Sequence, residues 1–213
     1  MVTRSPPRSR ALTVALTVAL TTALLVGAGC IGQGRFTEDL CTAGGSLDLL
    51  GDIDPVIELD YLALRLDGAV FDEIGEPCVT APDPVACAAA LDALPLESEF
   101  RAPNSQESSF YTLVFTRGAM VGAFETTAEL KDFLGEIDTP AEAGLFALLN
   151  GHQIACNERD EAGFDDGGFV VYTKSGDGCS TASKRHVLLV RSNGRFEILK
   201  SVTKSLASPG CST

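Results

Sequence analysis

The densest run of groups able to do chemistry is NERDEAGFDDGG, residues Asn157 to Gly168, which places Glu158, Asp160, Glu161, Asp165 and Asp166 close together. Calcium prefers oxygen-rich loops of this kind, and weak calcium sites recur in exported modules. The EF-hand spacing is not met, because counting from Asn157 puts Arg159 at the third position and counting from Asp160 puts Ala162 there. A solvated loop joining two strands is the simpler assignment. His152 follows Gly151 at a helix end and His186 opens an apolar strand, so each reads as a packed or surface ring. A serine nucleophile needs a base within hydrogen-bond reach, and Ser180 and Ser183 lack the GxSxG elbow. The acid pairs Glu97 with Glu99, and Asp165 with Asp166, imitate glycosidase carboxylates only in composition, and tryptophan is absent. These patterns name no catalytic residue, no cofactor and no metal ligand set.

Cysteine carries more information. The chain has seven, Cys30, Cys41, Cys78, Cys87, Cys156, Cys179 and Cys211. Setting Cys30 apart leaves an even number, as expected of disulfides formed in an oxidising compartment. Zinc is the rival use of these thiols, but there is no CxxC pair and the two histidines are not in a finger pattern. Connectivity stays open from sequence. Proximity favours Cys78 with Cys87 across the turn-rich VTAPDPVA, and Cys156 with Cys179 across the acidic segment. Cys41 with Cys211 would then tie the two ends of the domain together.

Cys30 stands apart because of what precedes it. The first ten residues hold Arg4, Arg8 and Arg10 with no acid, and Ala11 to Gly29 carries no charge before the small-residue ending Gly-Ala-Gly-Cys. A basic n-region, an apolar h-region and a small-residue cleavage site form an export signal. An uncleaved membrane helix is the alternative, since 19 residues lie near the low end of a bilayer span. Four threonines and the closing glycines weaken that reading. The segment resembles the type II signal of bacterial lipoproteins, in which cleavage before the cysteine exposes it for acylation, although Gly27 stands where an aliphatic residue is usual. The resemblance implies residues 1–29 as signal peptide, a membrane partner through lipid on Cys30, and residues 30–40 as a tether. Ile31, rather than Asp, implies sorting to the outer membrane.

Losing residues 1–29 would remove three arginines and no acid, taking the formal net charge from −13 to −16. Nucleic acid is excluded as a partner on that balance, because phosphate binding needs clustered Lys and Arg. A cationic protein or ligand suits it better.

The elements that would position such groups can be read along residues 41–213, which suit one domain. VIELDYLALRL changes its apolar phase at Tyr61 and Leu62, as a bulged strand does, and Asp54-Pro55 ahead of it could equally start a helix. Asp83 and Pro84 cap a helix through Leu94. SSFYTLVFT and AMVGAFE form a strand pair around Arg117-Gly118. Thr126 with Glu129, then Thr139 with Glu142, match the capping box and open two helices that stop at Gly135 and Asn150-Gly151. HQIAC, GFVVYTK, KRHVLLVRS and RFEILKSV are four further strands, with Asn193-Gly194 a type I′ hairpin signal. The continuously apolar HVLLV marks a central strand. Grouped helices and hairpin-linked strands predict an α+β fold, an antiparallel sheet with a few short helices on one face, stapled by disulfides.

The runs CVTAPDPVACAAALDAL, FLGEIDTPAEAGLFALLNG and the closing SPGC resemble an uncharacterised group of exported bacterial proteins that share an FLGxIDTPxEA segment. The resemblance implies a single unit over the last two thirds of the chain and supplies no activity. Three functions compete: an envelope lipoprotein with a binding or structural domain, an acidic inhibitor or sensor that captures a cationic protein in the periplasm, and a hydrolase or divalent-ion-dependent enzyme.

Overall fold

Nine strands, three α-helices and a short 3-10 helix (Leu50–Asp52) make up the described residues, 38–103, 109–156, 162–165, 167–175 and 182–205, of a computed structural model. The described residues fall in one compact unit. Strands β1 (Tyr61–Leu66), β2 (Ala69–Gly75), β3 (Tyr111–Arg117) and β4 (Met120–Phe124) form one antiparallel sheet in the order β2-β1-β3-β4. A second antiparallel sheet runs β5-β7-β8-β9, from β5 (Gln153–Ile154), β7 (Gly168–Ser175), β8 (Ala182–Val190) and β9 (Phe196–Ser205), with β6 (Ala162–Asp165) also paired to β7. The helices are α1 (Pro84–Asp92), α2 (Thr127–Leu134) and α3 (Pro140–Leu149). The fold is α+β, with two sheets in place of the one expected.

Strand β1 shows why its apolar run looked bulged. Leu62 and Leu64 point into the main core with Leu113, α2 and α3, while Tyr61 and Ala63 point the other way, onto Val114 and Leu91 of α1. A strand buried on both faces is apolar at every position. The irregularity lies opposite it, where the β1–β2 register slips between Leu64 and Arg65. Because successive strand residues face opposite ways, α1 packs on the face of this sheet turned away from α2 and α3. Strand β8 repeats the pattern as a central strand: Leu188 and Val190 join the main core, and Val187 and Leu189 form a second cluster with Val170.

The turns follow residue chemistry. Asp67 (φ 51°) and Gly68 (φ 84°) are both left-handed, the requirement of a type I′ hairpin, and they generate β2, which the sequence reading left unassigned. Asn193-Gly194 does not form the expected type I′ turn. Gly194 alone is left-handed (φ 79°), and Arg191 N–H bonds the Arg195 carbonyl, closing a three-residue loop over 192–194.

Both capping boxes are present. Thr126 Oγ1 accepts from Glu129 N–H at 3.2 Å, and Thr139 Oγ1 accepts from Glu142 N–H at 3.1 Å, with each glutamate returning a bond to its cap residue. On α3, Leu145, Leu148 and Leu149 are buried with Ala141 a turn earlier. Burying each leucine contributes about 1.5–3 kcal/mol. Asp83 caps α1 through Ala86 N–H at 3.0 Å.

Candidate functional site

Two disulfides fasten this core, and one of them corrects the pairing expected from proximity. Cys78 is bonded to Cys87, as expected. Cys41 is bonded to Cys156 across a separation of 115 residues, so Cys156 is not paired with Cys179, nor Cys41 with Cys211. Short sequence loops had favoured the wrong partners. Cys156 follows β5, which pairs with β7, and Ala162 of β6, paired to the same strand, is bridged by Glu38, three residues before Cys41. Cys30, Cys179 and Cys211 lie outside the described residues.

The acidic run 157–168 does not keep its loop assignment throughout, since Ala162–Asp165 is strand β6, paired to β7 and bridged at Ala162 by Glu38. Glu158, Asp160, Glu161 and Asp166 lie outside the described residues. Among the described residues no group of three or more His, Cys, Asp or Glu could hold a metal ion. Glu97 is exposed, and Glu99 braces α2 by accepting from Thr127 N–H at 3.4 Å, so this pair does not share one site.

His186 lies in β8 of the second sheet, and His152 sits just before β5. His186 Nε2 lies 3.0 Å from Ser175 Oγ and its Nδ1 lies 2.7 Å from Ser201 Oγ. Burial first, then the Lys184 charge, lowers its pKa and favours a neutral ring that donates at one nitrogen and accepts at the other. Register explains the grouping, because Thr173, His186 and Ser201 are direct cross-strand partners. The Thr173 hydroxyl beside them is buried without a hydrogen-bond partner. His152 rests against Phe196, with ring centroids 5.4 Å apart, and its pKa is lowered by burial and then by His186. The sequence reading named both histidines but neither Ser175 nor Ser201, which only β7–β8–β9 register could have supplied. Ser183 is in β8, and Ser180 lies outside the described residues.

A different stretch is strongly acidic. From Glu38 to Leu64 the chain carries seven acids, Glu38, Asp39, Asp48, Asp52, Asp54, Glu58 and Asp60, and no Lys or Arg. Six of them line two neighbouring concavities. One, of about 400 Å³, lies beside the start of α3 and takes Glu38, Asp39, Asp48 and Asp52. The other, of about 260 Å³, has Asp54 and Glu58 with a wall of Ile53, Leu59, Leu62 and Ile74. Asp52 lines the first and Ile53, Asp54 and Pro55 line the second, and this stretch is tied to the start of α3. Asp54 N–H donates to Glu142 Oε1 at 3.0 Å, while Glu142 Oε2 accepts from Asp138 N–H at 2.9 Å and Thr139 N–H at 3.2 Å. Burial pushes the Glu142 pKa up despite these three donors. Asp60 closes the stretch, its pKa lowered by the Thr80 hydroxyl and then by Gly118 N–H, at 2.5 and 2.6 Å.

Comparison with protein-family models, curated proteins and solved structures finds no match. The run of acids at 38–60, without a cation, is visible in the sequence, but nothing local marks it as lining concave surfaces. The C-terminal sheet has the opposite balance: residues 168–205 carry seven Lys and Arg against Asp177 and Glu197. Charge is thus segregated along the chain. Carboxylates around concave surfaces attract cations and speed their encounter.

Proposed function

We propose that this chain is a bacterial envelope lipoprotein, anchored through Cys30, whose α+β domain binds a partner at the membrane surface. The observation that carries the reading is the N-terminal layout, three arginines, an uncharged apolar run and Gly-Ala-Gly-Cys. Several acyl chains on Cys30 exceed the marginal grip of one, since each buried methylene contributes about 0.8 kcal/mol. Ile31 favours the outer membrane. The Cys41–Cys156 and Cys78–Cys87 bonds suit an oxidising compartment. Membrane fractionation tests the anchor: the native chain should stay with the membrane pellet after a high-salt wash, and Cys30→Ser should change its fractionation or leave an unprocessed precursor. Identical fractionation and processing of the two chains would refute the anchor.

A second reading narrows the partner. The domain captures a cationic protein, and the acids of residues 38–60 favour this over a neutral ligand. Such a complex should weaken steeply between about 50 and 500 mM salt, as exposed charges are screened. Binding to the native envelope partner that is indifferent to salt would contradict it.

A further inference from the structure

The 260 Å³ concavity has a feature that acidity alone does not explain. Its wall is apolar, with Leu62 fully buried at the bottom and Ile53, Leu59 and Ile74 partly open to it. Beside it the 53–59 segment turns two more apolar side chains outward, Val56 at 64% and Ile57 at 39% exposure. Asp54 and Glu58 are exposed on the same segment, and neither has a cationic partner among the described residues. The segment is fixed rather than free to collapse inward: Val56 N–H bonds the Phe133 carbonyl at 3.1 Å and Asp54 N–H bonds Glu142.

We infer that this pocket is the docking point for a basic, amphipathic segment of a partner protein. An apolar side chain of the partner enters between Ile53, Leu59 and Ile74, and a neighbouring lysine or arginine meets Asp54 and Glu58. Charge selects this occupant. A neutral apolar segment would leave two carboxylates facing a partly dried surface with no counter-charge, whereas a purely cationic one would leave the pocket and Val56 wet. The adjoining concavity, where Asp39, Asp48 and Asp52 stand, extends the attraction to further basic residues on the same segment. A second copy of this chain, approaching with its Lys- and Arg-rich C-terminal sheet, is the competing occupant. The inference rests on the reading that the domain captures a cationic protein.

The test uses detergent-solubilised mature chain with labelled Ile, Leu and Val methyl groups. Three short peptides are titrated: alternating lysine and leucine, all lysine at equal charge, and alternating serine and leucine. The inference expects methyl shifts at Ile53, Leu59, Leu62 and Ile74 with the lysine–leucine peptide, and affinity about tenfold above either control. Asp54→Asn with Glu58→Gln should lower that affinity about tenfold, whereas Asp92→Asn on α1 should leave it within about twofold. Both substitutions exchange exposed carboxylates for amides and keep the backbone bonds, and the wild-type methyl map does not depend on them. Binding with unmoved pocket methyls, or equal loss in the two variants, would overturn the pocket while leaving cationic capture intact. Failure of every peptide to bind would overturn the capture reading and the pocket with it. Pocket shifts that appear with rising protein concentration, without peptide, would assign the site to a second copy instead.

Discussion

Helices α2 and α3 open with the same device and use it in opposite surroundings. Thr126 with Glu129 and Thr139 with Glu142 have the same spacing and make the same reciprocal bonds. Glu129 is exposed, and backbone N–H groups of Glu125 and Thr126 hold its pKa below the ordinary value. Glu142 is fully buried and accepts one more long-range bond, from Asp54 N–H, yet burial drives its pKa the other way. A local motif sets where a helix begins. Its surroundings decide whether the same carboxylate only caps a helix or also holds together distant parts of the chain. In α3 the carboxylate holds the segment that carries the proposed docking pocket.

The largest effect that should separate the two boxes is removal of the carboxylates. Glu142→Ala leaves three inward backbone N–H groups without an acceptor and should destabilise by about 2–4 kcal/mol. Glu129→Ala, where water can replace the acceptor, should cost about 0.5–1 kcal/mol in the same denaturant titration. Leu148→Ala gives a benchmark for α3 packing, at about 2–5 kcal/mol, because Leu148 is 1% exposed in the main core. Next come the threonines. Thr139→Ala and Thr126→Ala should each cost about 0.5–2 kcal/mol, with Thr139 at the upper end because its box is partly buried.

The smallest effects are in pH dependence, where the two glutamates should differ in sign. Glu129 has a lowered folded pKa, so its contribution is complete above the unfolded value and is lost as pH falls through the folded one. Glu142 has a raised folded pKa, so its contribution is complete below the unfolded value and is lost as pH rises through the folded one. Between about pH 3 and 7, the stability gap between wild type and Glu129→Gln should widen with pH, and the gap for Glu142→Gln should narrow. Gaps that move together would show that the two carboxylates do not differ in environment as described.

The same contrast explains what the sequence could reveal. Helix starts were legible because Thr139, Pro140 and Glu142 act within one turn, and α3 begins at Pro140 as expected. HVLLV read as a central strand because double-sided burial leaves a local apolar run. Strand β2 was missed although Asp67-Gly68 carried the signal, since AVFDEIG lacks an apolar face that dominates it. The number of sheets and the Cys41–Cys156 bond depend on which strands meet, and contacts 115 residues apart leave no local trace. The docking pocket was illegible for that reason too. Ile53 and Glu58 belong to one short loop, but Leu62 and Ile74 reach it only through β1–β2 register.

Breaking Cys41–Cys156 should matter more than breaking Cys78–Cys87, because the loops they close differ by more than tenfold in length, 115 residues against 9. Chain entropy sets about 4–5 kcal/mol for the long loop and about 2–3 kcal/mol for the short one, read from paired Cys→Ala variants. The measurement that tests the functional account most directly is the intact mass of the protein from native membranes. The account predicts a chain that begins at Cys30 and carries the added mass of acyl groups, with residues 1–29 removed. A mass equal to the unmodified chain from Met1 to Thr213, or a cleaved chain with no acyl addition, would contradict it.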